Sequence, residues 1–215
     1  MKKDQFDSTR RRFLILSSSA TLLGLMPKRS YANIIREMEG EVWVNQALAT
    51  QETLIKPGDM IKTGAKSRII FVMGEDVYKL GARSILQLNS NNDENSFAKT
   101  MRLVTGTLMG VFSKGEKKIE VPTAAIGIRG TGLFLKIESN STYFCTCYGE
   151  TEIVTTGLTP HHQPVATVYH KAYSISHDSN NPLLTADQLR DHQDKELYHL
   201  ESLIGRKPPI GFKSK

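Results

Sequence analysis

The feature that most restricts how this chain can fold is the spacing of its apolar residues, which fall into short runs with a turn-forming residue after almost every one. Between residues 33 and 176 the runs are 42–44, 54–55, 69–73, 77–80, 85–88, 101–104, 108–112, 119–121, 143–148, 153–154 and 165–175. Pro57-Gly58-Asp59, Gly64, Gly74, Gly81, the polar stretch 89–96, Gly106, Gly115 and Gly149 lie between them as corners. Most of these runs are too short for an amphipathic helix and are rich in β-branched and aromatic residues, so they read as strands. The expected fold is all-β, an antiparallel sandwich or a short solenoid.

Within this pattern the run 121–136, VPTAAIGIRGTGLFLK, is broken three times by glycine around a single cation, Arg129. It reads as two strands about a tight turn, with Gly130 and Gly132 allowing angles or close approaches that a side chain forbids. A cation between Ile128 and Gly130 is costly to bury alone. Arg129 is therefore expected to meet a carboxylate or backbone carbonyls and to pin the hairpin, a structural role.

After a loop at 177–184, Thr185 with Gln188 three residues on resembles a capping-box start. Leu189, Leu197, Leu200, Leu203 and Ile204 then recur at helical spacing as far as Gly205, with Pro208-Pro209 beyond. One C-terminal amphipathic α-helix, docked by its apolar stripe on the β-domain, is the expectation.

An apolar content of 39% over 215 residues is enough for a real core. The net charge of +6 invites a nucleic-acid reading, but residues 1–32 alone carry seven Lys or Arg against two Asp, or +5, leaving +1 for the rest. A charge concentrated in a leader is no argument for a nucleic-acid partner. That leader has a basic start, a short apolar stretch to Met26 and small residues at Ser30 and Ala32, the layout of a cleavable export signal too short for a permanent membrane span. Thr9, Arg10, Arg11, Phe13 and Leu14 match the twin-arginine pattern position by position. The expected organisation is an export signal at 1–32, a β-domain at 33–176, and a C-terminal loop, helix and tail at 177–215. The export machinery is the expected partner of the signal, and the bacterial periplasm or exterior the destination.

The chemistry-bearing residues are few. Cys145 and Cys147 are the two cysteines of the chain, and residues two apart in a strand project to one face. His161 and His162 follow soon after, then His170, His177, His192 and His199. Thiolates with imidazoles suit zinc, iron or copper, and the simplest candidate set is Cys145 and Cys147 with His161 or His162. A strained disulfide in an oxidising compartment and a pair of small buried hydrophobes are the competing readings. No nucleophile elbow, His-Glu-x-x-His pair or phosphate loop occurs, so a non-catalytic protein is expected.

Taken in register, Glu39-Gly40-Glu41-Val42, Leu54, Lys56 through Gly64, Ser67-Arg68-Ile69, Leu103, Gly106, Leu108, Val121-Pro122-Thr123-Ala124, Arg129 through Phe134 and Tyr148-Gly149-Glu150 make the region 38–155 resemble the FecR domain. The resemblance implies an all-β extracytoplasmic domain, in a family best known for relaying iron-siderophore signals to sigma factors. It also implies structural turn roles for Gly58, Asp59, Thr63, Gly130 and Thr131. Regulators of that kind carry a cytoplasmic anti-sigma segment before a membrane helix, whereas about a dozen residues precede Phe13. The expectation is thus a free-standing exported FecR-like binding, sensory or scaffolding module, with an envelope protein or ligand as partner, rather than a direct sigma-factor regulator. A periplasmic metal-binding protein built on Cys145 and Cys147 is the alternative.

Overall fold

A computed structural model describes residues 33–89, 99–209, 211 and 212; the leader, with Arg10, Arg11, Phe13 and Leu14, lies outside the described residues. The fold is all-β with one C-terminal helix. Its strands in chain order are β1 (Ile34–Glu39), β2 (Val42–Val44), β3 (Ala47–Leu48), β4 (Met60–Thr63), β5 (Arg68–Met73), β6 (Asp76–Leu80), β7 (Ile85–Leu88), β8 (Thr100–Thr105), β9 (Thr107–Val111), β10 (Glu116–Val121), β11 (Ala124–Ile137), β12 (Ser141–Thr155), β13 (His162–Thr167), β14 (Lys171–Ser176) and β15 (Leu184–Asp187), followed by α1 (Asp194–Ser202). Among the described residues no helix is long and apolar enough to cross a membrane.

All the strands belong to one sheet, whose main path runs β1-β5-β6-β9-β11-β10-β8-β7-β4-β2-β3. Its spine is the long antiparallel pair β11–β12. The first half of β12 also pairs with β14 and the second half with β13, while β15 extends the β14 edge. Every pairing is antiparallel except β8 with β10.

Strand alternation sorts side chains onto two faces, and both are buried over the middle of the sheet. Ile69, Phe71 and Met73 of β5, Leu133 and Leu135 of β11 and Phe144 of β12 join a large inner cluster, on which the curled sheet closes. Their neighbours Ile70, Val72, Phe134, Tyr143 and Cys145 point the other way, into an outer cluster capped by Leu197, Leu200 and Ile204. Central strands with two buried faces read as continuous apolar runs, which is why β5 shows no polar alternation.

Two sequence expectations need correction. The run 121–136 is not a hairpin about its glycines: the turn is at Pro122 and Thr123, and the glycines lie inside the single 14-residue strand β11. There they bend the strand where its pairing with β12 slips by one residue. Gly132 is required because a Cβ would lie 2.5 Å from the Tyr148 ring, and Gly149, at φ +92°, because a Cβ would lie 2.4 Å from the Gly130 carbonyl oxygen. Thr131 locks the bend by donating its hydroxyl hydrogen to the Glu150 carbonyl at 2.7 Å.

The helix begins at Asp194, nine residues beyond Thr185, which pairs with Ser174 inside β15. Edge pairing on β14 satisfies the backbone there, and the capping box is made instead by Gln193 and Glu196. Leu189 consequently stays outside the helix and is exposed.

The other turn positions behave as corners. Gly58 adopts φ +95°, and the Asp59 carboxylate accepts from the Lys56 amide at 2.7 Å and from Asn45 Nδ2 at 3.0 Å. The Thr63 hydroxyl donates to the Gly81 carbonyl at 2.6 Å.

Candidate metal centre

The slip in the β11–β12 register places Cys147. Leu133 pairs with Thr146 and Gly132 with Tyr148, so Cys147 is the extra residue of a bulge. Cys145, Cys147 and the following Tyr148 all share the outer cluster, although regular alternation would turn Tyr148 inward. Both thiols are free and fully buried. A disulfide between them is disfavoured because residues two apart in a strand stand roughly 6.6 Å apart at Cα, the upper edge of what the bond spans. Burial fits the core reading, yet neither sulfur faces only hydrocarbon.

Two histidines meet the sulfurs. His170 ends the turn between β13 and β14, and its amide donates to the Cys147 carbonyl at 2.9 Å. His192 lies in the irregular stretch between β15 and α1. The ligand atoms of Cys145, Cys147, His170 and His192 all lie within 4.8 Å of one another. Cys145 Sγ is 3.5 Å from His170 Nδ1, Cys147 Sγ is 3.4 Å from His192 Nε2, and the two ring nitrogens are 3.4 Å apart. A zinc tetrahedron with bonds of about 2.3 Å to sulfur and about 2.05 Å to nitrogen has S···N edges of about 3.5 Å and an N···N edge of about 3.3 Å. The donors therefore already stand at coordination spacing.

The outward ring nitrogens settle the tautomers. His192 Nδ1 donates to the Arg190 carbonyl at 2.9 Å, since a carbonyl only accepts, which leaves Nε2 with a lone pair. His170 Nε2 donates to Asp194 Oδ1 at 2.8 Å, and Asp194 Oδ2 accepts from the Tyr169 hydroxyl at 3.1 Å. His170 Nδ1 then also turns a lone pair inward. Two lone pairs facing each other are unfavourable without a cation or proton between them, and backbone and carboxylate partners of this kind are what orient histidine ligands of metals.

The electrostatics agree. The bond from Cys147 is the largest influence on Cys145; with help from His170 and His192 it overcomes burial and brings the thiol down to about 4. Burial pushes Cys147 well up. At His170 burial acts against the charged form, but Cys145 and Asp194 outweigh it and raise the pKa.

The shell is closed. The side chains of His170 and Asp194 are 4% and 8% exposed. Phe134 stacks on the His192 ring at 4.6 Å between centroids, and Tyr169 and Phe212 pack against His170. Backbone strain gathers at the same place: His170 (φ +21°) and Asp191 (φ +66°) are two of the four non-glycine residues with positive φ among the described residues.

The expected partners His161 and His162 are not part of this cluster. His162 is exposed and paired with Glu152, and His161 is an exposed loop residue. The cause is register. His162 pairs with Val154, seven residues past Cys147, or roughly 20 Å along an extended strand. The chain must run down β13 and turn before it returns level with the thiols, at His170. Counting that register identifies His170; nothing local marks His192, which is 45 residues from Cys147.

Arg129 is also placed differently from expectation. It meets a carboxylate, Glu116 at 3.1 Å, but its side chain is 69% exposed on the outward side of β11, so the pair is a surface one.

No protein-family model matches the chain, and no curated protein is significantly similar to it. Among solved structures it resembles two crystal structures of a "putative anti-sigma factor" from Parabacteroides distasonis, at 1.65 and 2.50 Å. The identities are 9% and 10% and the TM-scores 0.46 and 0.47, with 60% of this chain and 60% of each solved chain covered. The chain thus spans about 60% of the length of the structures it matches, and the likeness assigns no function to it.

Proposed function

We propose that this protein is an exported FecR-like β-module whose working site is a closed Cys2His2 metal centre formed by Cys145, Cys147, His170 and His192, with zinc as the metal. The observation that carries this reading is the convergence of two thiols and two inward imidazole lone pairs at tetrahedral spacing, with the outward nitrogens held by Asp194 and the Arg190 carbonyl. Four protein ligands fill a tetrahedron, and a zinc site without an open position is structural rather than catalytic. Mixed thiolate and imidazole ligation in that geometry suits zinc better than copper(II), which favours tetragonal sites. The module then acts by binding a partner in the envelope, and the metal shapes the surface it offers.

The test is metal analysis of protein recovered from the periplasmic fraction, followed by cobalt(II) substitution. One equivalent of zinc, replaced by cobalt with the intense visible bands of a tetrahedral bis-thiolate centre, is the expected result. His161→Ala and His162→Ala should leave that spectrum unchanged, whereas Cys147→Ser should abolish it. Absence of stoichiometric metal, with cobalt keeping the spectrum of its hydrated ion, overturns the proposal.

A further inference from the structure

The ligands come from three separate segments, and only His192 belongs to the chain beyond the last strand. Two residues after it, Asp194 opens α1 and accepts the hydrogen bond of His170. Contacts therefore form a ring: from the ligand cluster to His192, along two residues to Asp194, across to His170 and back to the cluster. Resting on the metal reading, we infer that the metal is a latch, whose occupancy holds the stretch 188–204 over the outer apolar face and whose loss releases it.

The covered face is large and the cover weakly held otherwise. Beneath the stretch lie Ile70, Val72, Val77, Met109, Val111 and Phe134, all buried in the outer cluster. Above them α1 has nine residues, too few to persist as a helix without tertiary contacts. It does not lie flush on the sheet: a cleft of about 750 Å³ opens between it and β1, β5 and β6, reaching from Glu37 and Arg68 to His192. Of its polar ties, Lys79 with Glu196 and His199 with Glu37 are partly exposed, and such pairs contribute little. Tyr148 with Glu201 is the buried tie at the far end of the helix. At the near end, His192 stacked on Phe134 and aimed at the thiols is the fastening.

Hydrogen exchange of the full mature protein tests this, with metal content measured on the same samples before and after a zinc chelator. Expected is at least about 10-fold faster amide exchange across 188–204 on metal removal, with β5 and β11 unchanged, more binding of an apolar dye, and reversal by zinc. His192→Ala should exchange as fast as the chelated wild type, with or without zinc. If zinc is stoichiometric and leaves without altering exchange at 188–204, the latch is wrong and the metal site stands. Uniform loss of protection over all strands also overturns the latch, because the metal then supports the whole fold. Protein that never holds metal overturns both readings.

Discussion

Two buried polar clusters in this protein solve the same problem in opposite ways. Asp76 and Lys117, with side chains 2% and 9% exposed, form an ion pair at 3.4 Å. Asp76 Oδ1 accepts from the Ser113 amide and hydroxyl at 2.7 and 2.8 Å, and Lys117 donates to the Ser113 carbonyl and hydroxyl oxygens at 3.2 Å. Donors meet acceptors and a cation meets an anion, so the group is closed by its own atoms. The Cys145, Cys147, His170 and His192 cluster instead brings acceptors to acceptors. A buried group that balances itself is architecture; one that needs a positive charge from outside is a site.

The sharpest way to break that comparison is to unbalance the balanced cluster. Asp76→Ala leaves Lys117 buried without its anion and should lower unfolding free energy by about 3–5 kcal/mol, read from urea denaturation. Asp76→Ala with Lys117→Met should recover most of the loss, since the charge is removed with its partner. A neutral single variant would mean that the pair is not what closes this group. The pH dependence follows from the same burial, which is the largest influence on Asp76 and raises its pKa in spite of Lys117 and Ser113. The folded state then binds this proton more tightly than the unfolded one. Stability tied to it is full below the ordinary value of 3.8 and declines as pH rises through the raised one, a slope that Asp76→Asn should remove.

The second cluster is sharpened through the carboxylate that orients His170. Asp194→Asn keeps the shape but weakens the acceptor, and it should reduce zinc affinity about 10- to 100-fold in competition with a chromophoric chelator, while all four ligands remain. An unchanged affinity would show that Asp194 serves the helix start alone.

The smallest effect concerns the charge that looked most telling in the sequence. Arg129→Ala removes an exposed pair with Glu116 and should change stability by less than about 1 kcal/mol, with the difference shrinking further in high salt. A larger loss would place Arg129 with the buried groups after all.

Much of the architecture was legible before any coordinates. Short apolar runs between glycine and proline corners can only be strands in number, and Gly58, Asp59 and Thr63 sit at corners because φ and short side-chain acceptors are local matters. The thiols could be paired by face because strand alternation has a period of two. The helix start and the hairpin in 121–136 were misread for one reason. Local signals at Thr185 and Gly130 are compatible with several conformations, and pairing with β14 or β12 chose among them.

What the sequence by itself determined is the β class, the corner residues and the two cysteines as the half of a site that alternation can bring together. The tertiary structure alone decided which histidines complete it. His161 and His162 are nearer to the thiols along the chain, but the β12–β13 register carries them away, and the return through β13 and the crossing of the C-terminal stretch deliver His170 and His192 instead. A ligand set drawn from three segments depends on strand register and on a bulge at Cys147, and neither is a property of any short stretch of residues.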